Sequence, residues 1–159
     1  MFDGTLFVGS DHGGFQLKEA LVAKAREVGL HVEDLGTQDE TSVDYPRFAA
    51  AVCSAVLAQP GALGLLICGT GIGMSMSANK VKGIRAALCS EPYSSAMARR
   101  HNDANVLCMG GRVVGPELAL LTLETFLETE YEGGRHDRRL GLMAEIEEFG
   151  PKNLSSGAK

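Results

Sequence analysis

The apolar run Leu63-Gly64-Leu65-Leu66-Ile67-Cys68 passes directly into Gly69-Thr70-Gly71-Ile72-Gly73, and this junction limits the fold more than any other stretch of the chain. A short uncharged run ending in alternating glycines reads as a buried strand feeding a tight turn, with a helix over 74–80 behind it. Glycines at 69, 71 and 73 free the backbone to take positive φ and to approach a ligand closely, so that several N–H groups point into one concavity. Such a nest holds an anion, or an oxygen that becomes negative during a reaction. Cys68 stands beside it as a nucleophile or base, and Thr70 as a hydroxyl donor. The bland alternative is a glycine turn after a strand whose cysteine is a small buried hydrophobe. Two familiar loops fail: a dinucleotide fingerprint needs its third glycine at position 74 or 76, both methionine, and a P-loop needs a lysine earlier than Lys80.

The rest of the chain alternates in the same way. Thr5-Leu6-Phe7-Val8-Gly9 is β-prone and opens into Ser10-Asp11-His12-Gly13-Gly14. Residues 15–28 carry Leu17, Leu21, Ala25 and Val28 at helical spacing, and Gly29 ends them. A strand over 30–35, a polar loop over 36–45 and a helix opened by Pro46 and running to Gln59 follow. After the central strand come a strand over 84–89, a helix over 93–101, a strand over 106–109 and a helix from Gly115-Pro116 to Leu127. The basic run Arg135-His136-Asp137-Arg138-Arg139 precedes a last short helix over 140–149, and 151–159 reads as a polar tail behind one domain, 1–150. Five strand and helix alternations predict a three-layer α/β/α, doubly wound, Rossmann-like five-stranded parallel sheet. Ligands of such sheets bind outside the carboxyl ends of the strands. Asp11, His12, residues 68–73 and Arg112 fall at such ends, whereas His101 and Asn102 precede a strand and fall at the opposite edge unless a second subunit presents them.

Composition narrows the function. A chain of 159 residues with 45% hydrophobic and 22% charged residues is expected to be one soluble domain, and its net charge of −5 argues against nonspecific nucleic-acid binding. The start lacks the pattern of a signal peptide and no apolar stretch approaches a membrane span, so the expected location is cytoplasmic. Cys53, Cys68, Cys89 and Cys108 form no C-x-x-C pair, which predicts free thiols and neither zinc site nor disulfide framework.

With these residues placed, the chain resembles the sugar-phosphate isomerase family that contains type B ribose-5-phosphate isomerase and the galactose-6-phosphate isomerase subunits. The likeness covers nearly the whole chain and rests on Ser10-Asp11-His12-Gly13-Gly14-Phe15, Asp44-Tyr45-Pro46, residues 67–73, Ala78-Asn79-Lys80, Gly83-Ile84-Arg85-Ala86, Ser90-Glu91-Pro92-Tyr93, Arg100-His101-Asn102-Asp103-Ala104-Asn105 and residues 131–136. It implies a homodimer or dimer of dimers with a site shared between subunits, a small sugar phosphate as the partner, and no cofactor or metal. It further implies that Cys68 is the base moving a proton between C1 and C2, supported by Thr70, and that Asp11 and His101 act at ring opening. Asn102 and Gly69, Gly71, Ile72 and Gly73 would bind substrate, with His12, Arg112, Arg135 and Arg139 toward the phosphate and adjacent hydroxyls. Another branch has glutamate where Met74 stands, so this chain resembles the cysteine branch.

Aldose–ketose conversion needs a base for a carbon-bound proton, donors for the enediolate oxygen, an acid for ring opening and cations for phosphate. The chain offers all four, and the resemblance implies interconversion of ribose 5-phosphate and ribulose 5-phosphate. The alternatives are a six-carbon sugar phosphate, allose or galactose 6-phosphate, and a noncatalytic phosphosugar- or nucleotide-binding module. Asp11 is also a candidate N-cap of the first helix. Arg138 is expected to pair with Glu145, Glu147 or Glu148 on a solvated face, as are Arg135 and Arg139 if they have no ligand. Cys53, Cys89 and Cys108 are expected in the core.

Overall fold

The computed structural model describes residues 2–151; of the expected tail 151–159, all but Pro151 lies outside the described residues. Five parallel strands form one sheet in the order β2-β1-β3-β5-β4: β1 (Thr5–Ser10), β2 (His31–Asp34), β3 (Leu63–Cys68), β4 (Ala86–Leu88) and β5 (Val106–Gly110). Six helices accompany them: α1 (Phe15–Glu27), α2 (Tyr45–Ala58), α3 (Ile72–Ala78), α4 (Pro92–Asn102), α5 (Pro116–Glu128) and α6 (Arg135–Phe149).

Alternation along β3 divides the core. Leu63, Leu65 and Ile67 pack with Leu17 and Leu21 of α1 and Leu123 and Phe126 of α5, while Leu66 and Cys68 pack with Val52 and Cys53 of α2 and Met74 and Ala78 of α3. Leu65, Leu66 and Ile67 are fully buried, each contributing roughly 1.5–3 kcal/mol relative to exposure. The doubly wound, three-layer expectation is met. Because β1 leads into α1 on one face and β3 into α3 on the other, the carboxyl ends of these neighbours part and leave a crevice, the place where such sheets take ligands.

Several bounds differ from the sequence reading, each for a local reason. The fourth strand shrinks to Ala86–Leu88 because the Arg85 N–H is taken by Asn105 Oδ1 at 2.8 Å instead of joining the ladder. α3 starts at Ile72, immediately after left-handed Gly71, two residues earlier than expected. α6 starts at Arg135, so the basic run forms its first turns and is not a loop. That change puts Arg135 and Arg139, four apart, on one side of a helix. Apart from half-buried or buried positions near its start, α6 is exposed along its length, including Leu142, Met143, Ile146 and Phe149.

Fully buried Lys18 is a cation inside α1. Its Nζ reaches Asp34 Oδ2 at 2.5 Å and the Thr37 carbonyl at 2.8 Å. The turn so held exchanges backbone bonds with Ser10, whose N–H donates to the Gly36 carbonyl and whose carbonyl accepts from Thr37. Lys18 thus fixes the exit of β1, one residue before Asp11.

Candidate active site

Three loops interlock at the crevice. The Asp11 N–H donates to the Ile67 carbonyl (3.1 Å), Gly111 to the Cys68 carbonyl (2.8 Å) and Arg112 to the Gly69 carbonyl (3.0 Å). A methyl group on Gly14 would lie 2.4 Å from the Ile67 carbonyl oxygen, so the first loop sits tightly on β3. Asp11 is buried, and its Oδ1 accepts from the Gly14 N–H at 3.1 Å; it braces the turn before α1, whose N-cap is Gly14 and not Asp11.

Cys68 ends β3 with 6% of its surface exposed, and its Sγ accepts the Gly71 N–H at 3.1 Å. That donor exists because Gly71 turns back at φ +76°. Of the three loop glycines only Gly71 takes positive φ, which corrects the reading of 69, 71 and 73 as equivalent. Gly73 serves close packing instead: a methyl there would lie 2.9 Å from the Tyr45 ring. Thr70 is exposed at the lip and its Oγ1 accepts from the Ile72 N–H at 3.3 Å, leaving its hydroxyl hydrogen free to donate outward; Ile72 is exposed beside it.

Arg112 lies over this loop, its Nη1 placed 3.5 Å from where a Gly69 methyl group would be. His12, Gln16, Glu40 and Arg112 line an adjoining cavity of about 350 Å³. His12 Nδ1 accepts the Val43 N–H at 3.3 Å, which leaves Nε2 to carry its proton as a donor. Cys68, Thr70, Asp11, His12, Gly69, Gly71, Ile72, Gly73 and Arg112 therefore surround one crevice.

The remaining predicted residues gather elsewhere. α4 runs back from the carboxyl ends of the strands, and its eleven residues span ~16 Å, so His101 and Asn102 at its last turn sit at the amino edge of the sheet. There the His101 ring stacks on His136 with centroids 4.3 Å apart and planes 11° apart. Glu132 faces both rings and pairs with Arg100 at 3.3 Å. Arg135 Nε donates to His136 Nε2 at 3.3 Å. Burial, then His101, Arg135 and Arg139, hold the His136 pKa below its usual value. Glu132 opposes the neighbouring cations but does not reverse the direction of the shift.

The His101 and His136 ring nitrogens and a Glu132 oxygen lie within 4.8 Å of one another, near enough to raise a metal site. The orientation does not suit one. Near-parallel stacked rings aim their lone pairs side by side and not at a common point, and the His136 Nε2 lone pair already accepts from Arg135.

A family model described as Ribose/Galactose Isomerase matches residues 6–143. The chain belongs to the ribose/galactose isomerase family. Ribose-5-phosphate isomerase B of Escherichia coli (strain K12) is 49% identical to it over 140 residues, 88% of this chain and 94% of that protein. The structure of Clostridium thermocellum ribose-5-phosphate isomerase B superimposes with a TM-score of 0.87 at 48% identity, covering 90% of this chain and 97% of that one. The Thermotoga maritima ribose 5-phosphate isomerase structure gives 0.88 at 45% identity, covering 90% and 99%.

Within this isomerase the other cysteines are packing residues. Burial raises the thiols of Cys53 and Cys89 to about 11, and that of Cys108 well above its usual value. Glu147 and Glu148 engage Gly83 and Lys82, not the expected arginines. Tyr45, Glu132 and His136 lie in stretches that carry the family likeness but were given no site role from sequence: the first touches the site only through a glycine, and the other two meet His101 through folding alone. The signals available were those motifs and the density of charge around Arg135.

Proposed function

We propose that this isomerase interconverts ribose 5-phosphate and ribulose 5-phosphate in a site built by two copies of the chain. The observation that carries the reading is the placement of Cys68: a nearly buried sulfur with its own N–H donor, at the start of the glycine loop that carries Thr70 and lies under Arg112, beside the cavity lined by His12 and Arg112. The sulfur takes the C2 proton of the open-chain aldose and returns it at C1, while the hydroxyl proton passes from O2 to O1 of the enediolate, leaving a C2 ketone and a C1 hydroxyl. Through this step the Gly71 N–H stays with the sulfur, and Thr70 donates to the enediolate oxygen. A binding module has no use for this sulfur.

Ring opening falls to Asp11 together with His101 of a second subunit, because one chain keeps its own His101 at the far edge. Arg135, Arg139 and Asn102 travel with that His101, so the partner also supplies most of the phosphate and hydroxyl contacts. Guanidinium forks suit a phosphate because they bind it through paired hydrogen bonds. Exposed Ile72, Met76, Leu88 and Tyr93 beside the crevice, with the apolar side chains of α6, provide surface for a dimer or a dimer of dimers to cover. The 1–150 domain carries every residue proposed for the site, and two such domains complete it. No described helix is long and apolar enough to cross a membrane, and four free cysteines fit the reducing cytoplasm in which we place the enzyme.

The test mixes inactive Cys68→Ala and His101→Ala proteins and lets subunits exchange. In a heterodimer one of the two sites is intact, so ribose 5-phosphate turnover returns to about a quarter of wild type in a statistical mixture. No recovery in a mixture shown by mass spectrometry to contain heterodimers rejects the shared site.

A further inference from the structure

We infer that Arg85 is a positioning residue for ring opening, acting through His101; this rests on the role proposed above for His101. Arg85 leaves the turn before β4 and grips the end of α4. Its Nε donates to the carbonyls of Asn102 and Asp103, both at 2.9 Å, and its Nη2 to the Asp103 carbonyl at 2.7 Å and carboxylate at 2.8 Å. The last carbonyls of a helix have no partner within it, and here one guanidinium gathers two of them. Arg99 adds a second cation to the same carboxylate at 3.1 Å.

The gripped residue is unusual. Asp103 has φ +43°, the only positive φ of a non-glycine residue among those described, and it turns the chain from α4 into β5. Its N–H bonds back to Arg99 and that of Ala104 to Ala98, closing the helix. Arg85 is itself fixed at the backbone, its N–H on Asn105 Oδ1 and its carbonyl accepting from Asn105 and Val106. The direction of the His101 side chain is therefore set on one side by His136 and Glu132 and underneath by a strand-anchored fork. A lysine reaches the carboxylate or one carbonyl but cannot span the set.

The chemistry separates positioning from general stability. Ribose 5-phosphate is a closed ring and must open before its C2 proton is accessible. Ribulose 5-phosphate, phosphorylated at C5, has no furanose form, so the exchange of its C1 hydrogen with solvent needs the Cys68 base but no ring opening. Arg85→Lys should therefore lower kcat for ribose 5-phosphate at least tenfold and leave deuterium exchange into ribulose 5-phosphate within about threefold of wild type, since positional losses of this size follow from small displacements of an acid.

Both rates are measured on Arg85→Lys, on Asp103→Asn and on His101→Asn, each checked for folding and for dimer by sedimentation. Asp103→Asn tolerates the left-handed backbone and removes only the ion pair, so it should show a smaller loss with the same split, and it carries the test if the lysine variant does not fold. Equal losses in both reactions, or none, in the Arg85 and Asp103 variants while His101→Asn shows the split overturn this inference alone. Absence of the split in His101→Asn itself rejects the ring-opening role and the inference with it.

Discussion

Gly71→Ala should damage both the fold and the sulfur. The backbone at 71 lies at φ +76°, where a side chain costs about 1–2 kcal/mol. The new methyl would stand 2.4 Å from Leu88 Cδ1 and 2.8 Å from the Met109 carbonyl carbon. Leu88 is 44% exposed and can swing away, but the Met109 backbone belongs to β5 and is paired with β3, so relief must come from the loop. Overpacking of this kind costs about 1–3 kcal/mol, giving a total of roughly 2–5 kcal/mol. For a chain of this size that lowers Tm by roughly 4–20 °C.

The same movement takes the Gly71 N–H away from Cys68 Sγ and unsettles the sulfur as a positioned base, so kcat should fall by up to the roughly 10²–10⁴ that a general base contributes. Gly69→Ala is the control for stability. Its backbone is not left-handed and its methyl would find nothing nearer than Arg112 at 3.5 Å, so Tm should change by only a degree or two. Thermal melting by circular dichroism, alongside a coupled isomerase assay, separates the two. A Gly71→Ala protein melting with wild type and turning over at the wild-type rate would refute the close packing and the donor together.

Arg139→Ala should raise KM for ribose 5-phosphate and the inhibition constant of inorganic phosphate while changing kcat little, since a phosphate contact kept throughout the reaction is uniform binding; unchanged constants would place Arg139 outside the site. Lys18→Met removes the partner of Asp34 and Thr37 from a fully buried position and should cost about 3–5 kcal/mol in urea unfolding, with near-wild-type stability counting against that pair. His136, whose pKa is depressed by burial and neighbouring cations, binds its proton less readily folded than unfolded. Stability should therefore be flat above the ordinary histidine range near 6.5, fall as pH drops below it, and lose that part of its slope in His136→Gln.

The sheet was legible because its signals are local. β3 was read at its true bounds since the apolar run stops where the strand does, and the helices 15–28 and 46–59 matched α1 and α2 within a residue or two because proline, glycine and helical spacing mark them. Legibility failed where tertiary contacts decide. Nothing near Arg85 signals that its N–H leaves the ladder for Asn105, and the basic run 135–139 offered charge without periodicity, so the start of α6 was missed. Cys68 stood out by its place before the glycines. Its Gly71 donor depends on a φ angle that three similar glycines do not distinguish in sequence.

The division of the proposed site follows from the winding of the sheet. In a parallel sheet every helix returns from the carboxyl to the amino edge, so residues that end a helix face away from the crevice that residues ending a strand line. A reaction needing a strand-end base and a helix-end acid around one small sugar cannot assemble them within such a chain. A two-fold dimer resolves this, because a self-complementary contact that brings one amino edge to the other crevice does so twice and makes two equal sites. The helix-end group is then under an unusual demand. In the proposed dimer it keeps its shape at the surface where the second subunit arrives, which gives a physical reason for spending two arginines, an aspartate in a left-handed turn and a stacked histidine on the few residues around His101.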